Sequence, residues 1–119
     1  NIPVIGNGDV FSPETFKKRL DESGVDAILV ARGAIGKPYL FTQINEYLKT
    51  GTYSQGNGIA HFFEFLELAR KYGLRHPLIL THAMSFTKGV VGGAEIREQL
   101  SRAKGVEEIE NVLRPTVLN

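Results

Sequence analysis

The stretch that decides the fold reads IPVIGNGD at residues 2–9, and it has a partner, DAILVARG, at residues 26–33. Each stretch begins with short apolar residues and ends in a turn that contains glycine. In the first stretch odd and even positions alike are apolar, which is typical of a strand buried on both faces of a sheet. The sequence therefore predicts two buried strands, at 2–5 and 26–30, each followed directly by a glycine turn.

A helix is predicted between the two strands. Ser12 and Pro13 are typical of an N-cap and a first helical turn. Apolar residues four positions apart continue the pattern as far as Gly24, which suits a C-cap, so the helix is predicted at 13–23. A second helix is predicted to begin at Pro38. Because a helix connects the strands, we expect them to run parallel, as in repeated βα units.

The second half of the chain is predicted to be helical. Helical patterns cover 59–72, 77 to about 91, 94–104 and a last short helix that Pro115 is expected to end. The glycine-rich segment before them resembles a linker. The predicted fold class is therefore α/β then all-α. Its predicted domains are an α/β domain at 1–49, a linker at 50–58 and a helical bundle domain at 59–119.

The composition is that of a globular protein, with 42% hydrophobic and 23% charged residues among 119 and a net charge of +1. No apolar run reaches the roughly 20 residues of a membrane-spanning helix. No leader pattern is present, which favours a cytoplasmic protein. The absence of cysteine excludes a disulfide, a thiolate metal site and a nucleophilic thiol. Because the chain begins inside an apolar run and not with methionine, we expect it to be a piece of a longer protein.

The two glycine turns are candidate anion sites. A turn that leads from a parallel strand into a helix points backbone N–H groups at open space, where the helix dipole favours negative charge. The loops after strands 7 and 8 of a (β/α)₈ barrel form a phosphate site of this kind. The candidates here are the Asn7 turn (residues 6–9) and the Arg32 turn (residues 31–33), whose arginine suits a charged contact to phosphate.

The same residues allow simpler roles. The glycines can serve the turns alone, and Arg32 can form a surface ion pair. Asp9 is awkward beside a phosphate because of its charge. It suits a contact to backbone amides or to a ligand hydroxyl, or a cap on the following helix.

The helical half carries a positive charge, with seven Lys and Arg against four Glu between residues 61 and 105. Two polar stripes at helical spacing are predicted: Thr81, Ser85 and Lys88, then Arg97, Ser101 and Lys104. Such stripes suit a phosphate backbone, although a solvated helix face has the same pattern. By residue type alone, His82 indicates a structural role, and no carboxylate at a ligand spacing predicts a metal site. The aromatic residues Phe62, Phe63 and Phe65 have core spacing.

These motifs resemble the tRNA-dihydrouridine synthase family. The GNGD of the Asn7 turn, followed by VARGAIGKP at 30–38, is similar to the end of that family's barrel. The later His82, Lys88-Gly89, Gly93-Ala94 and Arg97 are similar to its C-terminal pattern. The resemblance implies the last two βα units of a TIM (β/α)₈ barrel followed by a C-terminal helical tRNA-binding domain.

The resemblance also implies a reaction, the FMN-dependent reduction of a tRNA uridine to dihydrouridine with NADPH. The implied FMN-binding residues are Asn7, Gly8, Asp9, Ala31 and Arg32. Together with the polar stripes, it suggests His82, Lys88, Arg97 and Lys104 as tRNA-binding residues. The family usually has glycine in place of Ala31, so this turn needs a negative φ. The family's catalytic cysteine is absent from this sequence, so no residue here is expected to be catalytic and the chain alone is expected to be inactive.

Two alternatives remain at this point: an RNA-binding helical module without catalysis, and another FMN- or phosphate-binding barrel oxidoreductase. Two parallel strands alone leave both edges of their sheet open. We therefore expect self-association, a rearranged strand pairing or a poorly ordered first domain.

Overall fold

A computed structural model describes residues 1–117 and divides the chain into two compact units. The first unit is Asn1–Gly56, and the second begins at Asn57. The described residues are mostly helical, and the two short strands that they contain both lie in the first unit.

The first unit alternates strands and helices. Its elements are β1 (Ile5–Asn7), α1 (Pro13–Ser23), β2 (Ala27–Leu29), a 3-10 turn (Arg32–Ala34) and α2 (Leu40–Thr50). The strands pair in parallel, with Gly6 opposite Ile28, which confirms the predicted direction; the pairing is not rearranged. The Ser12 hydroxyl accepts a hydrogen bond from the Thr15 N–H at 3.2 Å, so the N-cap of α1 and its predicted bounds are confirmed.

The strand predictions are wrong in bounds and in burial. β1 begins at Ile5, because the Val4 N–H donates to the Asp26 carboxylate at 2.8 Å instead of joining a ladder. β2 is likewise shorter than 26–30. The exposed fraction is 68% for Ile5 and 55% for Leu29. A sheet buries both faces only when layers cover both, and within the described first unit these apolar side chains remain largely uncovered.

Residues 51–56, predicted to belong to a linker, pack on the first unit. The Gln43 side chain donates to the Ser54 carbonyl at 2.7 Å. The Tyr53 hydroxyl donates to the Glu14 carboxylate at 3.0 Å, and this hydrogen bond raises the pKa of Tyr53. The first unit therefore extends beyond the end of α2.

The second unit consists, over its described residues, of four helices: α3 (Gly58–Lys71), α4 (His76–Phe86), α5 (Gly93–Ser101) and α6 (Val106–Val117). They share one core, formed by Ile59, Phe62, Leu66, Ala69, Ile79, Ala83, Phe86, Ile96, Leu100, Ala103, Ile109 and Leu113. The Phe62 ring contacts the rings of Phe63 and Phe65, which confirms the packing role predicted for these three residues. None of the helices between residues 1 and 117 is both long and apolar enough to cross a membrane.

Three predicted helix ends are wrong. α4 ends at Phe86 instead of near 91, and the chain turns away at Gly89, whose φ of 78° lies in the left-handed region typical of a helix end. α5 ends at Ser101, three residues before the predicted end. α6 continues past Pro115 to Val117, since a proline in the last turn of a helix removes a single backbone donor.

The core of the second unit predicts a large stability loss for Leu100→Ala. Leu100 is fully buried, so truncation leaves a cavity that costs about 2–5 kcal/mol. Leu68→Ala, at a half-exposed position on α3, is the matched control and should cost far less. Chemical unfolding followed by circular dichroism measures both. Equal losses would contradict the core described above.

Candidate cofactor turns and nucleic-acid residues

The carboxyl ends of β1 and β2 bring the two turns together. Asn7 pairs with Leu29 in the parallel register, so the Asn7 turn and the Arg32 turn leave the sheet at the same edge. Arg32 Nη2 lies 2.5 Å from Asp9 Oδ1, although the two residues are 23 positions apart in sequence. The turns therefore meet at a charged contact.

A close backbone approach also joins the turns. Gly33 is buried, and a Cβ atom at this position would overlap the Val10 carbonyl oxygen and lie 2.9 Å from the carbonyl carbon. Only glycine fits such an approach without moving the neighbouring backbone. The glycine that the sequence offered as an anion contact therefore has a packing role.

Several backbone donors of the turns form no hydrogen bond to the other turns and loops of residues 1–117. Outside helices and strands, the described residues form no hydrogen bond from the N–H groups of Gly8, Asp9 or Arg32. The side chains of Asn7 and Arg32 are exposed. Successive N–H groups of this kind, next to a guanidinium, are suited to the oxygens of an anion such as phosphate.

The ion pair between Asp9 and Arg32 is one of the simpler roles that the sequence allowed. Both side chains are more than half exposed, and surface ion pairs of this kind contribute at most about 1 kcal/mol. An arriving phosphate can therefore compete with Asp9 for the guanidinium at little cost. The φ of Ala31 is −116°, so alanine takes this turn without left-handed strain.

Arg19 is a second cation beside the turns, and no motif in the sequence points to it. Its Nη1 lies 3.3 Å from the position that a Cβ of Gly8 would take. Arg19, Asn7 and Gly8 help to line a cleft of about 230 Å³. Gly8 and Arg19 are 11 positions apart in the sequence, and only the return of α1 along the sheet brings them together.

The four predicted tRNA-binding residues occupy different settings. His82 is half-buried, with its ring centroid 4.7 Å from that of Phe65. Arg97 is half-buried and donates from Nη1 to the Thr87 carbonyl at 3.0 Å. Lys88 and Lys104 are exposed, each in the loop that follows a helix.

The two predicted polar stripes are therefore wrong as helix faces. Lys88 lies beyond the end of α4, and Lys104 lies beyond the end of α5. Sequence spacing places residues on one face only while the helix continues, and both helices end before their last predicted cation.

Comparison with known proteins identifies the family. The family model described as dihydrouridine synthase (Dus) matches residues 1–119. This chain belongs to the dihydrouridine synthase family. Its relatives include a probable tRNA-dihydrouridine synthase 1 from Synechocystis sp., 33% identical over 118 residues, which cover 94% of this chain and 33% of the relative. A probable tRNA-dihydrouridine synthase from Rickettsia conorii is 37% identical over 103 residues, covering 81% and 31% of the two chains.

A third relative carries a cofactor in its name. It is the tRNA-dihydrouridine(47) synthase, NAD(P)(+), of Cryptococcus neoformans, 42% identical over 66 residues, which cover 54% of this chain and 9% of the relative. The chain spans about a third of the length of the first two relatives.

The close approach at Gly33 predicts that Gly33→Ala separates the two turns. The added Cβ must displace the Val10 carbonyl, and overpacking of this kind costs about 1–3 kcal/mol. Gly105→Ala, where the added Cβ meets open space, is the control. Backbone amide chemical shifts should move at Asp9 and Val10 in the first variant only. Unmoved shifts at both residues would contradict the packing.

Proposed function

We propose that this chain forms the C-terminal part of a tRNA-dihydrouridine synthase, which reduces uridine in tRNA to 5,6-dihydrouridine with NADPH and FMN. In this proposal the first unit supplies the last two βα units of a TIM barrel, and the second unit is a tRNA-binding domain. Family membership and the names of the relatives support this function. A cytoplasmic location is part of the proposal, as for an enzyme that acts on tRNA.

The observation that carries the FMN site is the meeting of the two turns at one sheet edge. The N–H groups of Gly8 and Asp9, which form no backbone hydrogen bond in the described turns and loops, and the Arg32 guanidinium would donate to the oxygens of a terminal phosphate. Asp9 would keep the guanidinium at the turns before the phosphate arrives. Ala31 would contribute through its backbone, which its negative φ permits.

When bound, FMN supplies the hydride chemistry that links NADPH to uracil reduction. The residues of this chain would bind and orient the cofactor through its phosphate. No cysteine occurs in the sequence, so the proton donor expected of this family is not among these 119 residues. We therefore propose that the chain alone is inactive. Self-association through the exposed strand residues stays a prediction.

The FMN assignment predicts cofactor loss from the double variant Asn7→Ala/Arg32→Ala of the full-length protein. Hydrogen bonds to a charged group contribute about 1.5–3 kcal/mol each, so the loss of two should lower FMN affinity by about a hundredfold or more. Lys18→Ala, on the exposed surface of α1, serves as the control. Flavin absorbance after gel filtration and a fluorescence titration measure the bound FMN. Full FMN retention by the double variant would rule out this site. If the full-length protein reduced a small-molecule enone in place of tRNA, that activity would favour the other barrel oxidoreductases.

The tRNA assignment predicts salt-dependent binding. Each phosphate contact contributes about 0.7–0.9 to the slope of log affinity against log salt concentration. Lys104 is exposed, so Lys104→Ala should reduce the slope by the amount that corresponds to about one phosphate contact. Lys18→Ala, on the first unit, is the control and should leave the slope unchanged. Filter binding of tRNA at about 50 to 200 mM salt measures the slope, because affinity that depends on phosphate contacts falls steeply over this range. Affinity independent of salt would contradict the assignment. Salt-dependent binding together with full-length protein that reduces no uridine would favour the RNA-binding module.

A further inference from the structure

The loop between α4 and α5 (residues 87–92) is built around one carbonyl oxygen, that of Thr87. This oxygen accepts the Val90 N–H at 3.3 Å and Arg97 Nη1 at 3.0 Å. The Val90 carbonyl in turn accepts the Gly93 N–H at 2.9 Å. Thr87 itself is fully buried. A carbonyl oxygen has two lone pairs, so Val90 and Arg97 together satisfy this buried acceptor.

Glycines let the chain follow this path. Gly89 and Gly92 have φ values of 78° and 72°, in the left-handed region that side chains disfavour. A Cβ at Gly93 would lie 2.6 Å from the Thr87 carbonyl oxygen and 3.0 Å from Arg97 Nη1. The backbone of Gly93 therefore leaves room for the guanidinium to reach the loop.

The loop presents Lys88 to solvent. The Lys88 side chain is exposed and forms no hydrogen bond or ion pair with residues 1–117. Val91, near it, is 98% exposed. Arg97 differs in both respects, since it is half-buried and uses a donor inside the unit. A cation that is already bonded to a buried carbonyl has less freedom to reach a phosphate.

We infer that Arg97 is a positioning residue for RNA binding, which fixes the 87–92 loop through the Thr87 carbonyl so that Lys88 meets the RNA backbone. The inference rests on the proposed tRNA function. The positive guanidinium also lies at the C-terminal end of α4, where the helix dipole favours it. Without Arg97 the loop must be ordered when RNA binds, and that ordering weakens affinity.

A double-mutant cycle in the full-length protein tests this inference, with tRNA as the probe. Lys88→Ala should lower the salt slope by about 0.7–0.9, one phosphate contact. Arg97→Ala should weaken binding several-fold in the wild-type background and cause no further loss in the Lys88→Ala background, because both act through one contact. Independent losses, with the slope reduced by two contacts in the double variant, would overturn the inference and make Arg97 a direct phosphate contact.

Two further variants separate positioning from general destabilisation. Arg97→Lys keeps one donor for the Thr87 carbonyl and should restore part of the affinity. Arg102→Ala removes an exposed cation that directly follows α5 and pairs with Glu98 of that helix. This variant should show no coupling to Lys88. Absence of rescue by Arg97→Lys, or equal coupling from Arg102, would overturn the positioning role.

Hydrogen exchange of the free protein reports on the loop without RNA. Arg97→Ala should speed exchange of the Val90 and Gly93 amides while the amides of α3 remain protected. Unchanged exchange at Val90 and Gly93 would overturn the inference. If the wild-type protein failed to bind tRNA, the proposed RNA function would be wrong, and this inference with it. Faster amide exchange at Val90 and Gly93 in Arg97→Ala would then show that Arg97 has a purely structural role.

Discussion

The candidate cofactor site depends on the close approach of two backbone segments, Gly33 and the Val10 carbonyl. Parallel pairing of β1 and β2 sets the two turns side by side, and the missing Cβ at Gly33 lets them touch. The Arg32–Asp9 pair then joins the turns on the solvent side. The N–H groups proposed to hold a phosphate share one edge because of this packing, and the exposed ion pair alone is too weak to hold them there.

The two units bury their apolar side chains to different extents. The second unit buries its helical stripes in a core of its own, centred on residues such as Phe62 and Leu100. The first unit leaves Ile5 and Leu29 largely exposed on its strands, although the strand pattern is typical of burial on both faces. That contrast supports the proposal that the first unit belongs to a larger sheet, as in a barrel. The prediction of burial on both faces is therefore wrong for the strands, whereas Phe62, predicted to have core spacing, is fully buried.

Lys88 and Arg97 show that two cations of one sequence pattern can have different surroundings in the second unit. The family resemblance and the two polar stripes predict that both residues bind tRNA. In the structure Lys88 is exposed in a loop, whereas Arg97 holds that loop from the next helix. The spacing predicts that α4 continues through Lys88. Gly89, whose φ of 78° lies in the left-handed region, is the residue in the sequence that indicates an earlier helix end.

The sequence by itself determined the elements whose causes are local. Ser12, Pro13 and Gly24 set the bounds of α1, the intervening helix made the strands parallel, and the apolar periodicity marked most of the helical core. Helix caps and apolar periodicity depend on a few neighbouring residues, so they can be recognised in a single sequence. Tertiary structure alone decided the placement of Arg19 beside Gly8, the contact of Arg32 with Asp9 and the use of Arg97 on the Thr87 carbonyl. Each of these contacts joins residues that meet only after the helices have packed, and a long side chain can choose among several partners until packing fixes which one it can reach.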